Sequence, residues 1–172
     1  MHVKVDAEVK EMTKLAVASA PVMTTEGFLQ HWLGHRALTR RVIAAFPEDQ
    51  LFTFTAAPPM RTFGELGGEL HFVSEMTLVG LLTGEWPEPD WSAAPKDKAS
   101  LLEAWDALSA RIEQDFAKVD PAVFGTVSSL PWGQMPAWVA AIYAVDNEIH
   151  HRGQGYVYLR SLGIEPPAFY ER

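Results

Sequence analysis

The segment from Met135 to Leu162 constrains this chain more than any other. Its apolar residues recur at helical spacing, Gly163 suits the C-terminal cap, and Pro166-Pro167 stops the run. At about 100° per residue, Trp138, Ala141, Ile142, Val145, Ile149, Tyr156 and Leu159 make one apolar stripe. Nearly opposite lies a second face of Ala140, Ala144, Asn147, His151, Gln154 and Tyr158, small and then polar, with no solvating charge. A surface helix of a monomer carries a charged outer face. This one needs partners on both sides: the interior of its own fold on one, and on the other a second subunit. The expectation is a homodimer, the alternative a centrally buried helix.

Three more helical patterns precede it. The first starts at Thr24 or Thr25, runs to Phe46, and sets Phe28, His31, His35, Leu38 and Val42 on one face. Thr62-Phe63-Gly64-Glu65 has the form of a capping box and opens a second helix to about Leu82. The third covers about Ala99 to Val119. Residues 51–55 look extended, 121–134 irregular, and 1–20 like a short amphipathic helix. The predicted fold is therefore all-α: an antiparallel four-helix bundle with long connections, one domain over 1–172, with an N-terminal helical extension over 1–22.

Composition removes several function classes. No cysteine is present, which excludes disulfides, thiolate metal sites and cysteine nucleophiles. The net charge is −8, and among 14 Lys and Arg only Arg40 and Arg41 are adjacent. Neither nucleic acid nor an anionic membrane finds the basic face it requires. The longest nearly unbroken apolar stretch, Pro136 to Val145, is far short of the roughly 20 residues that span a bilayer. Met1 to Asp6 lacks the basic-then-apolar order of a signal peptide, so the expected location is cytoplasmic.

Candidate chemistry gathers on the second and fourth helices. Asn147 and His151 are four apart and project together, enough for half of a metal's coordination shell. His71 shares a stripe with Leu78 and Leu82, placing it inward as the opposing ligand or as a core histidine; Glu75 follows one turn later. Glu148 lies three before His151, a spacing used in di-metal carboxylate sites, but the second Glu-x-x-His such a site needs is absent.

Arg61-Thr62-Phe63-Gly64-Glu65-Leu66, His71, Glu148-Ile149-His150-His151-Arg152-Gly153-Gln154 and the closing Leu162-Gly163-Ile164-Glu165-Pro166-Pro167 together resemble the DinB/YfiT-like family of metalloenzymes over residues 24–171. That resemblance implies a four-helix bundle, commonly dimeric, with three histidines around zinc or nickel. It also implies transfer of low-molecular-weight thiols such as bacillithiol, or mycothiol-dependent isomerisation, and induction by stress or DNA damage. In its pattern His71 matches the first ligand and His151 the third. The second ligand position is Asn147, whose amide oxygen is a weak donor to zinc or nickel. Three outcomes remain: a metal-free polar pocket that binds a small molecule or a protein, a weakened metal site completed by Asn147 or water, or compensation by His31 or His35. If a metal is held, it serves thiol transfer or a related hydrolytic step by lowering the pKa of a bound thiol or water, and Glu75 or Glu148 is the candidate to orient an imidazole or take a proton. His150 is read as supporting or surface, Arg152 as a packing residue, and Gln154 and Tyr158 as ligand-facing.

Overall fold

The computed structural model describes residues 22–172; the expected N-terminal helix over 1–20 lies outside them. Four long helices form: α1 (Thr25–Ala45), α2 (Phe63–Thr83), α3 (Lys98–Asp115) and α4 (Ala137–Ser161). Side-chain caps start the first three, Thr24 accepting from the Gly27 amide and Asp97 from that of Ser100. Thr62 and Glu65 close the expected capping box reciprocally. Helix α4 ends at Gly163, whose φ of 76° allows the Ile164 amide to reach back to the Leu159 carbonyl.

Two connections differ from expectation. Residues 51–53 form a turn instead of an extended segment, with Leu51 buried. Within 121–134, a short 3₁₀ turn (Pro121–Gly125) leads into a hairpin of β1 (Val127–Leu130) and β2 (Gly133–Pro136), antiparallel with Leu130 opposite Gly133. Gly133, at φ 142°, takes the turn conformation that other side chains resist. Leu130 anchors the hairpin against Met76 and Ala140. The hairpin also serves α4, which lacks a side-chain cap: the Ala137 amide bonds instead to the Thr126 carbonyl.

The helices close into a ring in which α1 meets α3 and α4, and α2 meets the same two. Not every neighbour runs antiparallel. Helix α1 opposes α3 in direction, with Arg36 bonded to Ser109 and Lys98 to the Ala44 and Phe46 carbonyls. Helix α2 opposes α4, its Phe63 lying beside Gly155 and its Met76 beside Ala140. Helices α2 and α3 run parallel, pairing Gly67 with Leu101 and Glu75 with Arg111. Helices α1 and α4 are parallel too, since Phe28 and Trp32 share one apolar tier with Ala137 and Val145, and Ile43 and Phe46 share another with Tyr158 and Leu159. Because α2 and α3 are parallel, residues 84–97 return along their length as a strap. Trp86 covers Gly80, where a Cβ would lie 2.4 Å from the indole, Trp91 meets Phe72, and Ala94 reaches Gly68.

Between the two apolar tiers sits a buried polar layer. His35, Arg36 and Thr39 come from α1, and Glu148 and Arg152 from α4. Thr39 donates to Glu148 Oε1 at 2.5 Å and accepts from Arg152 Nη1 at 3.0 Å. No helix among the described residues is long and apolar enough to cross a membrane.

Candidate functional site

Helix α4 turns its 147–151 face to α2 and its 148–152 face to α1, about 100° away. On the α2 side the residue facing His151 is Glu69. Its Oε1 accepts from His151 Nε2 at 3.1 Å and from Asn147 Nδ2 at 3.4 Å. Its Oε2 pairs with Arg61 Nη1 at 2.6 Å. Hydrogen bonding from His151, reinforced by Arg61 and opposed by burial, holds the Glu69 carboxyl at about 2. His151 Nδ1 faces Gln154 Oε1 at 3.3 Å, and Gln154 Nε2 reaches the exposed His150 at 3.1 Å. Tyr158, fully buried, donates to the Arg61 carbonyl at 2.9 Å and thereby positions the start of α2.

A cavity of about 400 Å³ opens beside Glu69, walled by Phe52, Arg61 and Glu65 on one side and by Trp91, Pro95 and Lys96 of the strap on the other. Tyr143 stands one turn before Asn147. Burial first, and the negative charge of Glu69 second, push its hydroxyl pKa up. The half-exposed Trp132 of the hairpin tip lies 5.6 Å from the Tyr143 ring.

Of the residues expected at the site, the structure brings together Asn147 and His151, with Gln154 beside His151; Tyr158 is fully buried and turned to the Arg61 carbonyl instead of toward a ligand. His71 is two positions from Glu69, about 200° around α2, and therefore faces α3, in the field of Arg36 and Glu75. Burial lowers its pKa, and its Nδ1 has no protein partner. Glu75 pairs with Arg111 at 3.1 Å on the exposed side of α3. Glu148 faces α1, where burial raises its carboxyl pKa against the supporting charges of Arg36 and Arg152. His35 does not compensate at His151 either: its Nδ1 lies 2.8 Å from Arg152 Nη2, and burial, then Arg152, lower its pKa to about 3. His31 stacks edge-on against His35 at 4.5 Å, on the same side. The residues that sequence reasoning missed are Glu69 and Arg61. Glu69 shares the Leu66, Val73 and Met76 stripe of α2, all three buried, but the sequence offers an equal stripe through His71 and no signal that selects between them.

The donor set does not suit zinc or nickel. Catalytic zinc sites take three protein ligands, commonly with at least two imidazole or thiolate donors among them, and an open position; this one offers a single imidazole, a carboxylate and an amide. The imidazole nitrogen nearest Glu69 is engaged with it, and the Arg61 cation occupies the other carboxylate oxygen. Among the described residues, no three His, Cys, Asp or Glu side chains are grouped to hold a metal ion.

No curated protein sequence matches the chain. Among solved structures it is similar to a DinB-like protein from Bacillus cereus ATCC 10987, with 23% identity, a TM-score of 0.66, and coverage of 84% of this chain and 97% of that one. It is also similar to the DinB-like protein YjoA of Bacillus subtilis, at 17% identity and a TM-score of 0.68, with the same coverage of each. At these identities the likeness carries the fold alone. The family model described as DinB family matches residues 21–172, and the chain belongs to that family.

Proposed function

We propose that this chain is a single-domain four-helix bundle that binds a small polar molecule in the cavity beside Glu69, without a zinc- or nickel-type metal. The observation that carries this reading is the bonding of Glu69, whose carboxylate is matched by Arg61, His151 and Asn147. A charge balanced in this way needs no metal, and three donors on one carboxylate make a rigid wall for the cavity. Phe52 and Trp91 offer apolar surface to the body of a ligand, while Arg61, Lys96 and Glu65 offer charge of both signs to its polar groups. Metal-assisted thiol transfer is the competing reading, and it requires a metal to lower the pKa of the thiol.

Metal content decides between them. Protein purified without a histidine tag and equilibrated with equimolar zinc should retain well under one zinc per chain by elemental analysis. Replacing Glu69→His together with Asn147→His places three imidazoles on the facing turns and should raise zinc toward one per chain. One tightly held zinc or nickel in the unaltered chain, lost in His151→Ala, overturns the metal-free reading.

The homodimer belongs to the same proposal, on the apolar stripe of α4, one of the two faces that the sequence leaves open for it. The small-polar face of α4 is covered by α2, while the apolar stripe divides: Ala141, Val145 and Leu159 are buried, and Trp138, Ile142 and Ile149 are exposed. The outward strip of Trp138, Ile142, Ile149 and Val157 stays exposed and is the surface on which a second copy would pack. Light scattering at micromolar concentration should give twice the chain mass, and Ile149→Lys should halve it; a monomer before substitution rules the dimer out.

A further inference from the structure

Two buried charges belong to the polar layer, Arg36 one turn before Thr39 on α1 and Glu148 bonded to that Thr39. Arg36 is 1% exposed and Glu148 is 0% exposed. Arg36 donates from Nε to Ser109 Oγ at 2.9 Å and from Nη2 to the Trp105 carbonyl at 3.1 Å. Its guanidinium lies 4.1 Å from the centre of the Trp105 ring. These contacts fix the group in place and leave Nη1 with no protein partner. Glu148 offers Oε1 to Thr39 and, at 3.6 Å, to Arg152, while Oε2 has no protein partner. Each charge supports the other through space, yet no contact within 4.0 Å joins them among the described residues. His71 Nδ1, buried and unpartnered, enters the field of Arg36 from α2.

We infer that the polar layer is a binding site for ordered internal water, which bridges Arg36 Nη1 to Glu148 Oε2 with His71 Nδ1 at its edge. The chemistry of the unpaired atoms selects the occupant. A donor and an acceptor of opposite charge need a molecule that accepts from one and donates to the other, as water does. An anion has no hydrogen for Glu148 Oε2, and a metal cation is repelled by both Arg36 and Arg152. A direct ion pair would require Arg36 to leave Ser109 and Trp105. Two hydrogen bonds of about 2.8 Å through one water span about 5 Å, just beyond the reach of direct contact. The site is separate from the Glu69 cavity, since Glu148 bonds Thr39 of α1 while His151, about 60° away on α4, bonds Glu69 of α2.

A crystal structure of the unaltered chain at about 1.5 Å tests this. The expected result is a solvent peak within about 3.2 Å of both Arg36 Nη1 and Glu148 Oε2. No peak, or Arg36 turned into direct contact with Glu148, overturns the inference. The Arg36→Met, Glu148→Met double variant removes both anchors and should lose the peak. Solvent persisting at that point would mean that other groups hold it, and would equally overturn the assignment. Should the double variant not fold, the unaltered chain still decides.

Discussion

Replacing Glu69→Gln keeps the shape of the side chain while removing the charge that Arg61 and His151 pair with. The folded protein holds the Glu69 carboxyl at about 2, against an ordinary value of 4.5. A depressed carboxyl pKa stabilises the fold above the unfolded value, and this contribution is lost as the pH falls from about 4.5 toward 2. At about 1.4 kcal/mol per tenfold change in proton affinity, the ceiling is about 3 kcal/mol. Arg61 is 49% exposed while Glu69 is 19% exposed, so solvent screening brings the expected figure to about 1–2 kcal/mol. The measurement is urea unfolding of the unaltered chain and of Glu69→Gln at intervals between pH 3 and 7. Above pH 6 the unaltered chain should be more stable by that amount, and the gap should narrow steadily below pH 4.5. Titrating groups that do not touch Glu69 act on both proteins and cancel in the difference. A gap that stays constant with pH, or no gap at pH 7, would refute the assignment of Glu69 as the charge at the centre of the site.

Three further outcomes follow from the packing. His35, held neutral at a pKa of about 3, leaves the unfolded chain binding the extra proton as the pH drops through 6.5, so stability should fall between pH 6.5 and 3; His35→Gln should make that slope shallower in urea titrations, and an unchanged slope contradicts it. Thr39→Val strips Glu148 and Arg152 of a buried hydroxyl and should cost about 1–3 kcal/mol by denaturation, with a loss under about 0.5 kcal/mol counting against the polar layer. Gly155→Ala and Gly153→Ala should have opposite signs, read as shifts in Tm. A Cβ at 155 falls 2.5 Å from the Phe63 ring, which is stacked on Phe46, and overpacking of about 1–3 kcal/mol outweighs the helix gain, whereas at 153 nothing lies within 4 Å and the gain of up to about 1 kcal/mol stands alone.

The helices were legible because their caps are local chemistry. Thr24, the Thr62-Glu65 pair and Gly163 each act within a few residues of where they stand in the chain. The hairpin was not, because Val127-Ser128-Ser129-Leu130 is short and only its packing on Met76 and Ala140 makes it a strand. Helix directions were equally hidden, since periodicity says which face is buried and nothing about which way a neighbour runs. At the site, Asn147 and His151 could be read from their spacing. Their partner could not, because α2 is buried on nearly every side. On such a helix an apolar stripe can be drawn through His71 or through Glu69, and only the position of α4 selects Glu69.

The strap over 84–97 is also a ruler. Leu101 packs beside Gly67, so α3 begins level with about residue 64 of α2, and the chain leaving Thr83 must climb back roughly 28 Å at 1.5 Å per helical residue. Its fourteen residues, fully extended, reach at most about 46–50 Å. Once the bends at Trp86, Trp91 and Pro95 are allowed for, the spare length is a handful of residues. Deleting more than about five would put the parallel pairing of α2 and α3 out of reach. The shortest remaining route would send α3 back in the opposite direction, and the wall that Trp91 and Pro95 give the Glu69 cavity would go with it.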